Sequence, residues 1–201
     1  MLATLTGQFF TGWHDNNSDL QEMGLPQLSP GQYASSGHFL EATFENWESE
    51  FLQMGLYVVL TIWLRQRGSS ESKKLYEEEE VDKEPDPDKS DAPRPVKRGG
   101  WQLALYRRSL SIAFFILFFG AFWLHAKGGA EVYSIEQQHE GKPAVTTVEY
   151  MNTSRFWFES FQNWQSEFLS IVSLVGLSIF LRQHGSPESK PVDASNGETG
   201  K

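Results

Sequence analysis

The chain contains no cysteine, which excludes disulfides, thiolate nucleophiles and thiolate metal sites. It has no glycine-rich phosphate loop, no G-x-S-x-G elbow and no kinase-type motif. The five histidines (His14, His38, His125, His139, His184) are scattered and show no metal-ligand spacing. A His14–Asp15–Asp19 cluster is not repeated in its counterparts Glu131, Val132 and Glu136, and reads as a solvated loop. No lysine or arginine precedes Arg65, and the later basic stretches are short, so nucleic-acid binding is not expected. Met1–Trp13 has neither a basic n-region nor a small-residue cleavage site, which argues against a cleaved leader. These absences leave no catalytic residue, metal ligand or cofactor to expect.

What is present is aromatic and repeated. Among 201 residues there are 15 Phe and 7 Trp, a frequency that fits the interfacial belts of membrane proteins. The mean hydropathy of −0.42 hides this, because the polar residues are gathered in a central linker, a tail and two loops. The net charge of −9 arises largely in that linker. Phe39–Lys73 (FLEATFENWESEFLQMGLYVVLTIWLRQRGSSESK) aligns without a gap on Phe156–Lys190 (FWFESFQNWQSEFLSIVSLVGLSIFLRQHGSPESK), with 19 of 35 positions identical. Self-similarity at a fixed shift signals a duplicated unit. Further matches join the segments before these: Gly12 with Gly129, Gln21 with Gln138, Gly24 with Gly141, Pro26 with Pro143, and Tyr33 with Tyr150.

The clearest apolar span is Leu110–Ala126, uncharged and flanked by Arg107, Arg108 and Lys127, just long enough for a hydrocarbon core of about 30 Å. Phe51–Leu64 and Phe168–Leu181 are shorter, about 21 Å as helix. From Trp47 to Arg65, and from Trp164 to Arg182, the helical rise is about 27 Å, so a tryptophan at one interface and a snorkelling arginine at the other make plausible spans. Basic residues gather after Arg65, before Leu110 and after Arg182, which puts the linker and C-terminus in the cytoplasm and loops 13–44 and 128–161 outside. Met1–Trp13 offers only about 20 Å of helix. A truncated first span is the favoured reading and a half-helix the other.

The expected fold is therefore an all-α integral membrane protein of two parallel-repeat helical hairpins, four transmembrane helices in all. Residues 1–73 form the first hairpin, 74–98 a disordered acidic and proline-rich cytoplasmic linker, 99–190 the second hairpin, and 191–201 a disordered tail. Residues retained in both copies fall in two blocks. In the outer one, Trp47 and Trp164 are interface anchors, and Asn46, Glu50, Asn163 and Glu167 form a candidate polar seam. On one reading the glutamates sit near water while Asn46 and Asn163 bond across the helix pair. On the other, Glu50 and Glu167 meet and bind a cation or share a proton. The inner block, L-R-Q-x-G-S-x-E-S-K, holds Arg65 and Arg182 as headgroup anchors, with Gly68 and Gly185 as left-handed helix stops.

At F-E-N-W-E-S-E-F-L and F-Q-N-W-Q-S-E-F-L, each closed by L-R-Q-x-G-S-x-E-S-K, the chain resembles a bacterial membrane-protein family known as domain of unknown function 6766. The resemblance covers essentially the whole chain. It implies a bacterial inner-membrane protein of four helices and carries over no catalytic or binding residue. The start departs from that pattern, where the family has a full apolar span. The expected role is non-enzymatic, a structural or interaction component with the lipid bilayer and a second copy or another membrane or cytoplasmic protein as partners. The alternative is a small ion- or proton-handling protein that uses the Glu50/Glu167 seam.

Overall fold

The computed structural model describes residues 1–200. Among them there is no strand. The helices are α1 (Leu2–Glu22), α2 (Pro30–Tyr33), α3 (Gly37–Leu60), α4 (Arg94–Arg98), α5 (Gly100–Tyr106), α6 (Ser109–His139), α7 (Thr147–Met151) and α8 (Ser154–Phe180). Two compact units divide the chain, one of Met1–Phe51 with Ile116–Trp164 and one of Leu52–Phe115 with Gln165–Lys201.

Two short helices start in the same way. Ser29 accepts from the Gln32 amide while the Gln32 side chain accepts from the Ser29 amide; Thr146 and Glu149 make the same reciprocal box. Each box sets a buried tyrosine, Tyr33 or Tyr150, against a glycine of a long helix. A Cβ on Gly12 would lie 2.4 Å from the Tyr33 hydroxyl, and one on Gly129 would lie 2.4 Å from Tyr150 Cε1. The matched Gly and Tyr pairs of the sequence are thus two instances of one packing contact.

The helices extend well beyond the expected spans at one end. α1 continues past Trp13 to Glu22, α3 begins at Gly37, α6 runs on to His139 and α8 starts at Ser154, so segments 13–44 and 128–161 are largely helical rather than loops. The reason is side-chain packing. Trp13 Nε1 donates to Leu28 O at 2.7 Å, and Asn17 brackets the Leu28 backbone with bonds of 2.9 and 2.7 Å. Gly128 lets α6 approach α3 until a Cβ there would stand 2.5 Å from the Glu41 amide nitrogen.

At the other end the helices are shorter than expected. α3 stops at Leu60 and α8 at Phe180, so the Trp47–Arg65 and Trp164–Arg182 segments are not continuous helices. Only about 20 Å of helix follows Trp47 and about 24 Å follows Trp164. Beyond these ends, serine hydroxyls take backbone amides that a continuing helix would bond to carbonyls. The Gln66 amide donates to Ser72 Oγ at 2.8 Å, and the Gln183 amide to Ser189 Oγ at 2.9 Å. Among the described residues, one helix, Ser109–His139, is long and apolar enough to cross a membrane; the lengths of α3 and α8 do not by themselves support four spans.

The inner block folds on itself twice in the same way. Ser69 N donates to Gln66 O, and Ser186 N to Gln183 O, both at 3.2 Å. These close turns with Gly68 (φ 86°) and Gly185 (φ 81°) at the third position. The glycines do adopt left-handed backbone, but within β-turns rather than as helix caps, because α3 and α8 have already ended. Glu71 N donates to Ser69 Oγ and Glu188 N to Ser186 Oγ. Arg65 donates to the carbonyls of Lys74 and Leu75, while Arg182 donates to Ser178 O and Ile179 O at the end of α8 and to Ala194 O. Segment 61–93 has little regular structure beyond a 3-10 turn at Glu80–Asp82.

Candidate functional site

Glu41, Glu45 and Glu48 recur at i, i+4 and i+7 on α3, so they share one helix face. That face meets His125, which lies in the buried stripe of α6 with Phe118, Ala121 and Gly128. Glu48 and His125 are both fully buried, and Glu41 is 7% exposed. α8 adds Arg155 and Glu159, one turn apart, and α7 adds Tyr150. All of these residues belong to the first unit.

The contacts form one connected network. His125 Nδ1 lies 3.1 Å from Glu48 Oε2. With a carboxylate oxygen as acceptor, Nδ1–H is the donor in this contact. The other Glu48 oxygen accepts from Trp164 Nε1 at 3.2 Å. On its far side the imidazole presents Nε2 3.5 Å from Glu159 Oε2, and no hydrogen bond reaches that nitrogen. Tyr150 OH lies 2.6 Å from Glu159 Oε2 and 3.2 Å from Glu41 Oε1. A phenol has a single proton, so the shorter contact is its donation and Glu41 meets the phenolic oxygen. Arg155 Nε donates to Glu159 Oε1 at 3.0 Å, and its Nη1 pairs with Glu136. Phe156 closes the site, its ring 4.9 Å from the imidazole and 5.7 Å from Tyr150.

Environment sets the protonation of these groups apart. Burial, with the charge of Glu159 next, pushes the Glu41 carboxyl up to about 7, against the pull of Arg155 and His125. Burial likewise raises Glu45 to about 7. Burial also acts to raise Glu159, but the neighbouring His125 and the hydrogen bonds from Tyr150 and Arg155 outweigh it and hold that carboxyl below its ordinary range. Burial and the bond to Glu159 drive the Tyr150 phenol far above its usual value. One acid that keeps its proton near neutrality therefore stands beside one that gives it up, with a phenol between them. That is an arrangement able to pass a proton or accept a cation.

The residues singled out from the repeat fall elsewhere. Asn46 is exposed and donates to Ala42 O; Asn163 donates to Glu159 O. Both bonds go one turn back along their own helix. Glu50 is exposed, in the first unit, while Glu167 is half-buried, in the second. Trp47 packs on Phe44 and Phe51. Trp164 meets Phe118, Trp157 and Phe161 edge to face besides holding Glu48. The sequence reading missed the cluster because it followed retained positions. At the fixed shift, His125 falls opposite Gln8, Glu41 opposite Phe158, Glu48 opposite Gln165 and Glu159 opposite Ala42. Two signals were available: the i, i+4, i+7 glutamates, and a histidine inside an otherwise apolar span.

The second unit holds a cavity of about 760 Å³ between α3 and α8, walled by Leu56, Leu60, Phe168, Val172 and Val175. Its polar rim includes Tyr57, whose hydroxyl meets Glu71 at 3.2 Å.

Residues 1–201 match the family described as "Domain of unknown function (DUF6766)". The chain belongs to that family. No curated protein and no solved structure matches it. The family description attaches no activity, so the site itself must carry the functional argument.

Proposed function

We propose that this is a multi-pass membrane protein of the bacterial inner membrane, not an enzyme, that handles a proton or a cation at the Glu41–Glu48–His125–Glu159 cluster. The observation that carries this reading is the wholly buried pair of Glu48, on α3, with His125, on the helix that is long and apolar enough to cross a membrane. Removing two such groups from water costs several kcal/mol each, and a pair of apolar residues would be as stable or more so. Ionisable groups kept in that setting mark ion and proton paths.

The membrane part of the reading has its own support. Only 22% of the apolar window of α6 is buried within the protein, whereas a core helix of a water-soluble domain is mostly covered. Ile116, Phe119 and Trp123 are at least half exposed, as lipid-facing residues are. The short helices after Trp47 and Trp164 reach the cytoplasmic face through the twin turns at Gly68 and Gly185, with loop backbone rather than helix making the last few ångströms. In this topology the two hairpins are parallel copies, the linker and C-terminus are cytoplasmic, and the cluster lies near the outer end of the α6 span. A structural or interaction role, with a second copy as partner, is favoured by one feature, the exposed aromatics Phe158 and Phe161 on α8; the oligomeric mass in detergent decides it.

The test is flux into proteoliposomes, read with a pH dye and a divalent-cation dye. Wild-type protein should move protons or divalent cations above empty vesicles. Glu41→Gln with Glu159→Gln should lower that flux at least tenfold, and Glu50→Gln with Glu167→Gln should leave it unchanged. Wild-type vesicles that behave like empty ones would remove this function.

A further inference from the structure

The unpartnered nitrogen of His125 has a specific chemical meaning. We propose that Glu41, His125 and Glu159 bind one divalent first-row transition-metal ion, of the class of Zn²⁺, Fe²⁺ or Mn²⁺. This rests on reading the cluster as a cation site and names the cation.

Four observations carry it. First, one oxygen of Glu41, one of Glu159 and a ring nitrogen of His125 lie within 4.8 Å of one another, supplied by α3, α8 and α6. Second, Nε2 belongs to a fully buried ring and has no hydrogen bond. A buried polar nitrogen is seldom left so unless a ligand completes it. Its 3.5 Å separation from Glu159 Oε2 is long for a hydrogen bond but close to the edge, about 3.4 Å, of a tetrahedron with bonds of about 2.1 Å.

Third, every ligand is held from behind. Glu48 fixes the imidazole through Nδ1, in the carboxylate–histidine–metal arrangement that orients metal-binding histidines, and Trp164 fixes Glu48. Arg155 fixes one Glu159 oxygen, and the other, which accepts from the Tyr150 hydroxyl, faces Nε2. Gly128 sets the α3 backbone at Glu41 against α6. Fourth, two carboxylates and a neutral imidazole balance a divalent charge, so the loaded site is neutral in a buried setting. One nitrogen and two carboxylate oxygens, without sulfur, suit borderline transition metals rather than Cu⁺. The nitrogen disfavours Mg²⁺ and Ca²⁺, which take oxygen. Glu48 is a positioning residue and touches no metal.

Full-length protein in detergent, stripped with a chelator, is titrated with Co²⁺ and then Zn²⁺. The expected result is one equivalent of Co²⁺ with the visible bands of a nitrogen–oxygen site, displaced by Zn²⁺. Glu41→Gln and His125→Gln should each weaken Zn²⁺ binding at least tenfold. Glu48→Gln should weaken it roughly tenfold to a hundredfold while shifting the Co²⁺ spectrum, a change a purely structural role would not produce. Glu50→Gln should match wild type. Should His125→Gln fail to fold, the wild-type spectrum and Glu41→Gln still decide the matter. Folded wild-type protein that takes up neither ion at micromolar concentration, or Glu41→Gln that binds as tightly as wild type, overturns the site. Proton flux without metal binding would remove this site and keep the broader function. Metal binding without any flux would remove the transport reading and keep the site.

Discussion

Glu48 and Glu50 stand two residues apart on α3, and the structure gives them opposite weight. Glu48 is fully buried between His125 Nδ1 and Trp164 Nε1, whereas Glu50 is exposed. Glu48→Ala strips the partner from a buried imidazole and from an indole N–H together. Breaking a buried pair on one side costs about 3–5 kcal/mol, and an orphaned buried donor alone costs about 1–3 kcal/mol. The two figures overlap rather than add, so the expected loss is about 4 kcal/mol. For a chain of this size that is a fall on the order of 10 °C in melting temperature. Glu50→Ala should stay within about 0.5 kcal/mol of wild type. Thermal melts of the purified protein in one detergent, followed by circular dichroism and by tryptophan fluorescence, make the comparison. Trp164 should report a changed environment in Glu48→Ala before any unfolding. A Glu48→Ala melt within a degree of wild type, or a larger loss in Glu50→Ala, would refute the network.

Gly129→Ala drives a Cβ to 2.4 Å from Tyr150 Cε1 and should cost about 1–3 kcal/mol by overpacking. Gly120→Ala has no neighbour within 4 Å and should gain up to about 1 kcal/mol from helix propensity; the two melts are read side by side. In metal-free protein, the Glu41 carboxyl is raised from 4.5 to about 7, so between those pH values the unfolded chain binds fewer protons than the native one and stability falls as pH rises. His125, Arg155, Glu159 and Tyr150 all face this group, and their influence is common to wild type and variant. The Glu41 contribution is at most about 3 kcal/mol, and Glu41→Gln should flatten that part of a melting-temperature profile taken from pH 5 to pH 8. Gly185→Ala, at φ 81° with open space around it, should cost about 1–2 kcal/mol from backbone strain alone. Gly68→Ala should cost more by chemical denaturation, because its Cβ would also meet Asn196 O at 2.4 Å.

The helical class and the apolar α6 were legible in the residues, because periodicity and hydropathy are properties of the chain itself. So were the left-handed glycines at 68 and 185, since few other residues tolerate that backbone, although their place in turns depended on where Ser72 and Ser189 direct their hydroxyls. The repeat also pointed to Gly12 with Tyr33 and Gly129 with Tyr150, without saying that each pair is a contact. What it could not point to is the cluster. Matching the copies filters for what both halves need, which is the way each half packs and turns. Glu41, Glu48, His125 and Glu159 each occur in one copy only, because a site formed where three helices converge needs a different side chain from each helix. Their convergence is a matter of distance between residues as far as 118 positions apart in the chain, Glu41 and Glu159. Only the packing of α6 against α3 at Gly128, and the seating of Tyr150 on Gly129, turned separate polar residues into one buried network.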